Sequence, residues 1–269
     1  MPTRINQINR IRSFNYRRKR SLTGKLHIGR GDAVSFIGSG GKTTSVITAA
    51  NELASQGLRV AVTTTTKMGV HEKERLNPSV SFFGTVTGQK LSAPPLEVID
   101  RLCNSFDVVL IEADGSKRRA VKGWNDTEPV IHPRTTKTVG LISTRTLGKP
   151  VNETWVHRPE RFLSITSAKM DKPLRLTHII QAVFHPSGLF LRARGTCFVL
   201  CIAPRSEHEA IRTAYYRARG RRFGQRGTRS NPYLRFSCPC TGNRKPFRHP
   251  PYCSVQRGCK ARALHDRRN

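Results

Sequence analysis

The stretch Ala33-Val-Ser-Phe-Ile37, followed at once by Gly38-Ser-Gly-Gly-Lys42-Thr43-Thr44, constrains the fold of this chain more than any other. The first half is a short apolar run with the composition of a buried strand. The second half opens a helix. Val46, Ile47, Ala50, Leu53 and Ala54 recur at helical spacing, and Gly57 suits the stop. A glycine turn between strand and helix presents backbone N–H groups at a helix N-terminus, where the dipole favours an anion. Gly38, Ser39, Gly40, Gly41, Lys42, Thr43 and Thr44 are therefore candidate binders of nucleotide phosphate. In that arrangement Lys42 reaches the outer phosphates and the Thr43 hydroxyl ligates Mg²⁺.

The loop is shorter than the standard P-loop. That pattern needs a glycine where Phe36 stands, and here the glycines begin at Gly38. The alternative to a phosphate site is a glycine turn followed by a surface lysine. The order strand, loop, helix favours phosphate.

Two further strands carry chemistry at their ends. Leu58 to Val62 reads as a buried strand running into Thr63-Thr-Thr-Thr66-Lys67. In open α/β sheets, ligands bind beyond the carboxyl ends of the strands, so Thr65, Thr66 and Lys67 are candidate contacts to phosphate or metal-bound water. Threonine is also common as plain strand filler. Asp107-Val-Val-Leu-Ile-Glu112-Ala-Asp114-Gly115 reads as a central strand with two carboxylates at its end. Glu112 and Asp114 sit where an acid would hold Mg²⁺ opposite Thr43, which makes them, with Lys42, the candidate catalytic residues. The bland reading is an Asp-Gly turn beside a solvated Glu.

Weaker candidates follow. Lys117, Arg118, Arg119 and Lys122 face phosphates, an acidic substrate or solvent. His132 is a possible base, though a lone histidine is more often structural. His157 and Arg158 are possible ligand contacts. Val80 to Phe83 and Val139 to Ile142 read as strands, and Leu96 to Leu102 and Thr177 to Phe184 as helices. Strands alternating with helices predict an α/β fold: a three-layer, P-loop-like nucleotide-binding domain with a mostly parallel sheet.

Charge divides the 269 residues into three parts. Residues 1–30 carry nine Lys/Arg and no acid, residues 31–190 twenty against fourteen, and residues 191–269 nineteen against three. Cys103 is alone in the middle part, and the other six cysteines follow residue 190. The expected organisation is a disordered basic leader over 1–24, the nucleotide-binding domain over 25–190, and a tail over 191–269. No apolar run approaches a membrane span, and residues 1–30 lack a secretory h-region. The cytoplasm is the expected compartment.

The tail has three readings. Cys238, Cys240, Cys253 and Cys259, with His249 nearby, could hold zinc, although the spacing fits no common ribbon or finger. Arg217 to Arg229, with Tyr215, Tyr216 and Phe223, could bind nucleic acid. The third reading is out-of-frame translation from near residue 191, which would leave the domain incomplete at its C-terminal end.

Seven segments in series carry a family resemblance: Gly38 to Thr44, Thr63 to Lys67, Ile111 to Gly115, Glu128-Pro-Val-Ile131, Leu147-Gly-Lys-Pro150, Val156-His-Arg-Pro-Glu160 and His185-Pro-Ser-Gly-Leu-Phe190. Over residues 26–190 the chain resembles the selenium-dependent hydroxylase accessory proteins of the YqeC type. The resemblance implies a P-loop-like α/β domain in a bacterial cytoplasmic protein, while the glycine loop and the two acids make Mg²⁺ with ATP or GTP the expected ligand. The resemblance also implies a role in maturing a selenium-dependent molybdenum hydroxylase, the implied client. Carried over by position, the phosphate loop is Gly38 to Thr44, the Thr-Lys segment Thr65 to Lys67, and the acids Glu112 and Asp114. Two other classes remain open. One is an ATP-dependent carboxylate–amine ligase with a Mur-ligase-like loop. The other is a non-enzymatic nucleotide sensor, or a protein binding nucleic acid through its basic ends.

Overall fold

The computed structural model describes residues 21–202 and 215–218. All of them belong to the first of two compact units, Met1–Gly224; the second, Gln225–Asn269, lies outside the described residues. So do residues 1–20 of the basic leader, Phe223 and the candidate zinc ligands.

Three parallel strands form the centre. β1 (Asp32–Gly38) pairs with β7 (Val108–Glu112) on one side and with β9 (Lys137–Ser143) on the other. Outside β7 lie β2 (Val60–Thr64) and then β4 (Ser81–Phe82), both parallel. Outside β9 lies β11 (Thr196–Ile202), parallel, and then β12 (Tyr215–Ala218), antiparallel. The order is β12-β11-β9-β1-β7-β2-β4. This is the expected α/β class with a mostly parallel sheet.

Alternation along the strands supplies a core on each face. Val34 and Phe36 of β1, with Val108 and Leu110 of β7, pack under α2 (Lys42–Ala54). Ile37 of β1, with Val109 and Ile111 of β7, faces α3 (Leu96–Ser105), α4 (Pro159–Ser164) and α5 (Leu176–Phe184). Near-continuous apolar strands are what burial on both faces demands. A fully buried Phe36 or Leu110 contributes about 1.5–3 kcal/mol.

Helix α2 ends as its sequence predicts. Gly57 takes φ +79°, its N–H reaches the Ala54 carbonyl at 2.9 Å, and the Leu58 N–H reaches Leu53 at 3.3 Å. This pair of bonds satisfies the last carbonyls of the helix.

Smaller elements surround this sheet. β3 (Lys67–Gly69), β6 (Lys90–Ser92) and β5 (Thr85–Thr87) form an antiparallel sheet, and β8 (Val121–Lys122) pairs with β10 (Val156–His157). A 3₁₀ turn spans Val70–Arg75.

Two expected boundaries move. Residues 21–24 belong to the folded domain rather than to the leader. Ser21 caps the short helix α1 (Leu22–Lys25), and Glu52 of α2 accepts the N–H groups of Leu22 and Thr23. At the other end, the first part of the expected tail forms a full strand. Thr196 to Ile202 pairs with β9 over seven residues, so the sheet extends past residue 190.

Topology fixes where a ligand belongs. The chain leaves β1 toward β2 on one side and leaves β9 toward β11 on the other. The carboxyl ends of β1 and β9 are thus the switch point where open α/β sheets hold their ligands.

Candidate phosphate-binding site

The glycine loop lies at that switch point, between β1 and α2. Gly38, Gly40 and Gly41 adopt φ of +90°, +79° and +107°, values that side-chain-bearing residues rarely take. Space forbids a side chain as well. A Cβ on Gly38 would meet the Leu141 carbonyl oxygen at 2.2 Å, and one on Gly40 would meet Ser143 Cβ at 2.5 Å. Ser39 fastens the loop through its N–H to Leu141 O (3.1 Å) and its hydroxyl to Ala120 O (2.9 Å). Gly41 is the N-cap of α2, and no side chain caps it. The first N–H groups of a helix lack intrahelical partners, which makes such a terminus able to receive an anion.

Lys42 and Thr43 open α2. Lys42 is buried, and its Nζ donates to Gly38 O at 2.7 Å and to Ser116 Oγ at 3.3 Å. Burial pulls its pKa below the ordinary lysine value, against the opposing pull of Glu112 and Asp114. Thr43 Oγ1 donates to Glu112 Oε2 at 2.7 Å. Glu112 ends β7 level with Phe36 on one neighbouring strand and Thr64 on the other. Burial raises its carboxyl pKa; Lys42 and the Thr43 bond oppose the rise, while Glu72 and Asp114 add to it.

Glu72 is a residue that sequence reasoning missed. It lies in the Val70–Arg75 turn, paired with Arg75 at 2.6 Å. The turn has no motif, and only folding brings its charge to bear on Glu112.

Asp114 corrects an expectation. β7 stops at Glu112, so Asp114 lies beyond the strand. Asp114 is fully buried, and both of its oxygens serve protein donors. Oδ2 accepts from Gly38 N–H (2.9 Å) and Trp124 Nε1 (3.0 Å), and Oδ1 accepts from Lys122 Nζ (2.6 Å). It anchors the glycine loop at Gly38 instead of standing open beside Glu112.

Lys122 also departs from expectation. It is not an exposed phosphate contact but has no exposed surface. Its ammonium meets Asp114, the Gly115 carbonyl (2.6 Å) and Glu128 (2.7 Å), one acceptor for each proton. Arg158 completes the network with two bonds to Glu128, at 2.6 and 3.2 Å. Burial pushes the Glu128 carboxyl up, but the bonds from Arg158 and Lys122 outweigh it and leave the pKa below the usual range. His157 is lowered by burial and then by Arg158 and Lys122. Arg158 therefore serves Glu128, and this charged core joins β8, the Asn125–Pro129 loop and the start of α4.

The remaining candidates divide. The Thr65 hydroxyl donates to Val130 O at 2.6 Å, and the Thr66 N–H donates to Thr64 Oγ1 at 3.0 Å. Thr64, not singled out from sequence, donates to the Glu112 carbonyl at 2.8 Å. The threonine run thus braces the end of β7. Lys67 is exposed on β3, opposite Ser92. His132 is buried at α3, with Nε2 at 3.8 Å from Asp100 and Nδ1 accepting from Arg134 N–H at 3.3 Å. Lys117, Arg118 and Arg119 are exposed beside the loop.

Among the described residues, no group of three or more His, Cys, Asp or Glu could form a metal centre by itself. The Thr43 hydroxyl and the Glu112 carboxylate are both oxygen donors. That set fits Mg²⁺, which keeps several waters and takes further oxygens from phosphate.

These residues fall inside a family match. The model of the family described as YqeC protein matches residues 34–160, from β1 to the first turn of α4. The "Uncharacterized protein YqeC" of Escherichia coli (strain K12) is 31% identical over 188 residues, covering 62% of this chain and 73% of the relative. The chain belongs to the YqeC family. All the members of the charged core, and both Thr43 and Glu112, lie within the matched span of this YqeC chain.

Among solved structures, FtsY from Mycoplasma mycoides is similar in two crystal structures. The first is 19% identical, with a TM-score of 0.33, covering 48% of this chain and 49% of FtsY. The second is also 19% identical, with a TM-score of 0.29 and coverage of 43% and 44%. This YqeC chain thus spans about half the length of FtsY.

Proposed function

We propose that this YqeC protein binds a magnesium nucleotide, ATP or GTP, at Gly38 to Thr44. The observation that carries the reading is the Thr43–Glu112 hydrogen bond at 2.7 Å, next to buried Lys42 on a glycine loop at a helix N-terminus. The loop N–H groups and Lys42 would counter phosphate charge. Thr43 and Glu112 would hold Mg²⁺, directly or through water, and the ion would neutralise charge on the phosphate oxygens. Hydrolysis, where it occurs, needs little beyond such positioning and charge stabilisation.

The biological setting rests on the family resemblance: an accessory protein in the cytoplasm that assists maturation of a selenium-dependent molybdenum hydroxylase. Among the described residues no helix is long and apolar enough to cross a membrane.

The direct test is nucleotide binding by the full chain with and without Mg²⁺, using ATP, GTP and a Lys42→Ala variant. Mg²⁺-dependent binding lost in the variant is expected; undiminished affinity in Lys42→Ala would end the assignment. The accessory role is tested separately. Hydroxylase activity in cells lacking the protein should return with the wild-type gene and not with Lys42→Ala.

A further inference from the structure

The segment Gly115–Ala120 leaves β7 and runs beside the phosphate loop, fastened to it along its length. Next to it, Asp114 accepts the Gly38 N–H at 2.9 Å. Ser116 Oγ accepts from Lys42 Nζ at 3.3 Å, and Ala120 O accepts from the Ser39 hydroxyl at 2.9 Å. Between those ties the chain turns tightly, with the Arg119 N–H on Ser116 O at 2.8 Å. Lys117 and Arg118 form the corner at φ +46° and +62°. Turn corners of this kind usually carry Gly, Asn or Asp. This one carries three exposed cations in a row, Lys117, Arg118 and Arg119.

The neighbouring acids are already engaged. Glu112 accepts from Thr43, and Asp114 and Glu128 accept from Lys122. Among the described residues no salt bridge joins Lys117, Arg118 or Arg119 to an acid.

Position identifies the part of the site concerned. A loop lysine of this type meets the outer phosphates. Ser116 touches that lysine, so the turn stands at the terminal-phosphate end of the loop. There Lys42, the helix N–H groups and an ion at Thr43 and Glu112 would already balance the nucleotide. Three further cations exceed what it requires.

We propose that the Ser116–Arg119 turn is a second anion subsite, which takes the phosphate group of a small co-substrate beside the nucleotide's terminal phosphate. The placement rests on the nucleotide reading above.

The test uses the full chain and inorganic phosphate, measured by equilibrium dialysis in the presence of a saturating, non-hydrolysable magnesium–ATP analogue. The analogue fills the terminal-phosphate position, so phosphate bound in its presence occupies another place. Lys117→Gly with Arg118→Gly removes two charges while suiting the positive φ, so the turn itself is kept. We expect phosphate affinity to fall at least about tenfold in this variant, with analogue affinity changed less than about twofold. Three results would overturn the proposal: phosphate displaced by the analogue, phosphate affinity unchanged in the variant, or analogue affinity falling equally. Failure of the nucleotide reading looks different. The analogue would not bind, while phosphate binding would persist and still be lost in the variant.

Discussion

Lys122 Nζ lies 2.6 Å from Asp114 Oδ1 with neither side chain exposed, and the other oxygen of Asp114 holds the Gly38 N–H. A buried ion pair is thereby wired to the first residue of the glycine loop. Removing one partner of such a pair leaves an uncompensated charge in the core.

Lys122→Met should therefore destabilise the protein by about 3–5 kcal/mol, because Asp114 and Glu128 both lose their ammonium. Chemical denaturation of variant and wild type measures this. Where the variant remains folded, nucleotide affinity should also fall, since Asp114 no longer fixes Gly38. A denaturation midpoint equal to wild type would refute the anchoring role.

Magnesium dependence should vary with pH through Glu112. Burial raises this carboxyl, so it takes a proton at a higher pH than the ordinary value of 4.5. In the proposed site the ion would require the carboxylate. As pH falls through the raised value, the proton displaces the ion, and Mg²⁺-dependent nucleotide binding weakens earlier than an ordinary carboxylate would predict. The linkage to stability has the matching sign. A raised acid favours the fold below its unfolded value and loses that contribution as pH rises through the folded value. Glu112→Gln should remove the pH dependence of Mg²⁺ binding, and a profile unchanged by the substitution would exclude Glu112 as the metal acid.

The glycine loop offers a paired comparison. Gly40 and Gly57 share φ +79°, at opposite ends of α2. A Cβ at Gly40 would strike Ser143, while Gly57 has open space. Alanine at either position incurs left-handed strain of about 1–3 kcal/mol. Only Gly40→Ala should abolish nucleotide binding. Equal affinities in the two variants, measured by titration, would show that the loop is not the phosphate cradle.

Local signals made much of this arrangement legible. Continuous apolar runs marked β1, β7 and β9 because strands buried on both faces need no polar side. The glycines of the loop and Gly57 marked turns because their backbone values exclude other residues. The partners of the charged core were not legible. Asp114 read as a metal ligand or a turn residue, Lys122 and Arg158 as ligand contacts, and Glu128 only as part of a loop segment, since nothing local says that Arg158 lies against Glu128 across 30 residues. Likewise β11 lay in a stretch whose Arg-rich composition hid it. Its place depends on pairing with β9, a contact between segments far apart in the chain.

Acid stability isolates the outer half of the same core. Glu128 is held below its ordinary pKa because bonds from Arg158 and Lys122 outweigh its burial. A lowered acid contributes stability above its unfolded pKa, and that contribution disappears as pH falls through the folded value. Glu128→Gln keeps the shape and removes the charge. Its deficit in melting temperature relative to wild type should be largest near neutral pH and should shrink on acidification, as the wild-type carboxyl is itself neutralised. A deficit of constant size across that range would mean that Glu128 acts through packing alone. Arg158 and Lys122 would then owe their positions to other contacts, and the charge link between the start of α4 and Asp114 would carry no weight.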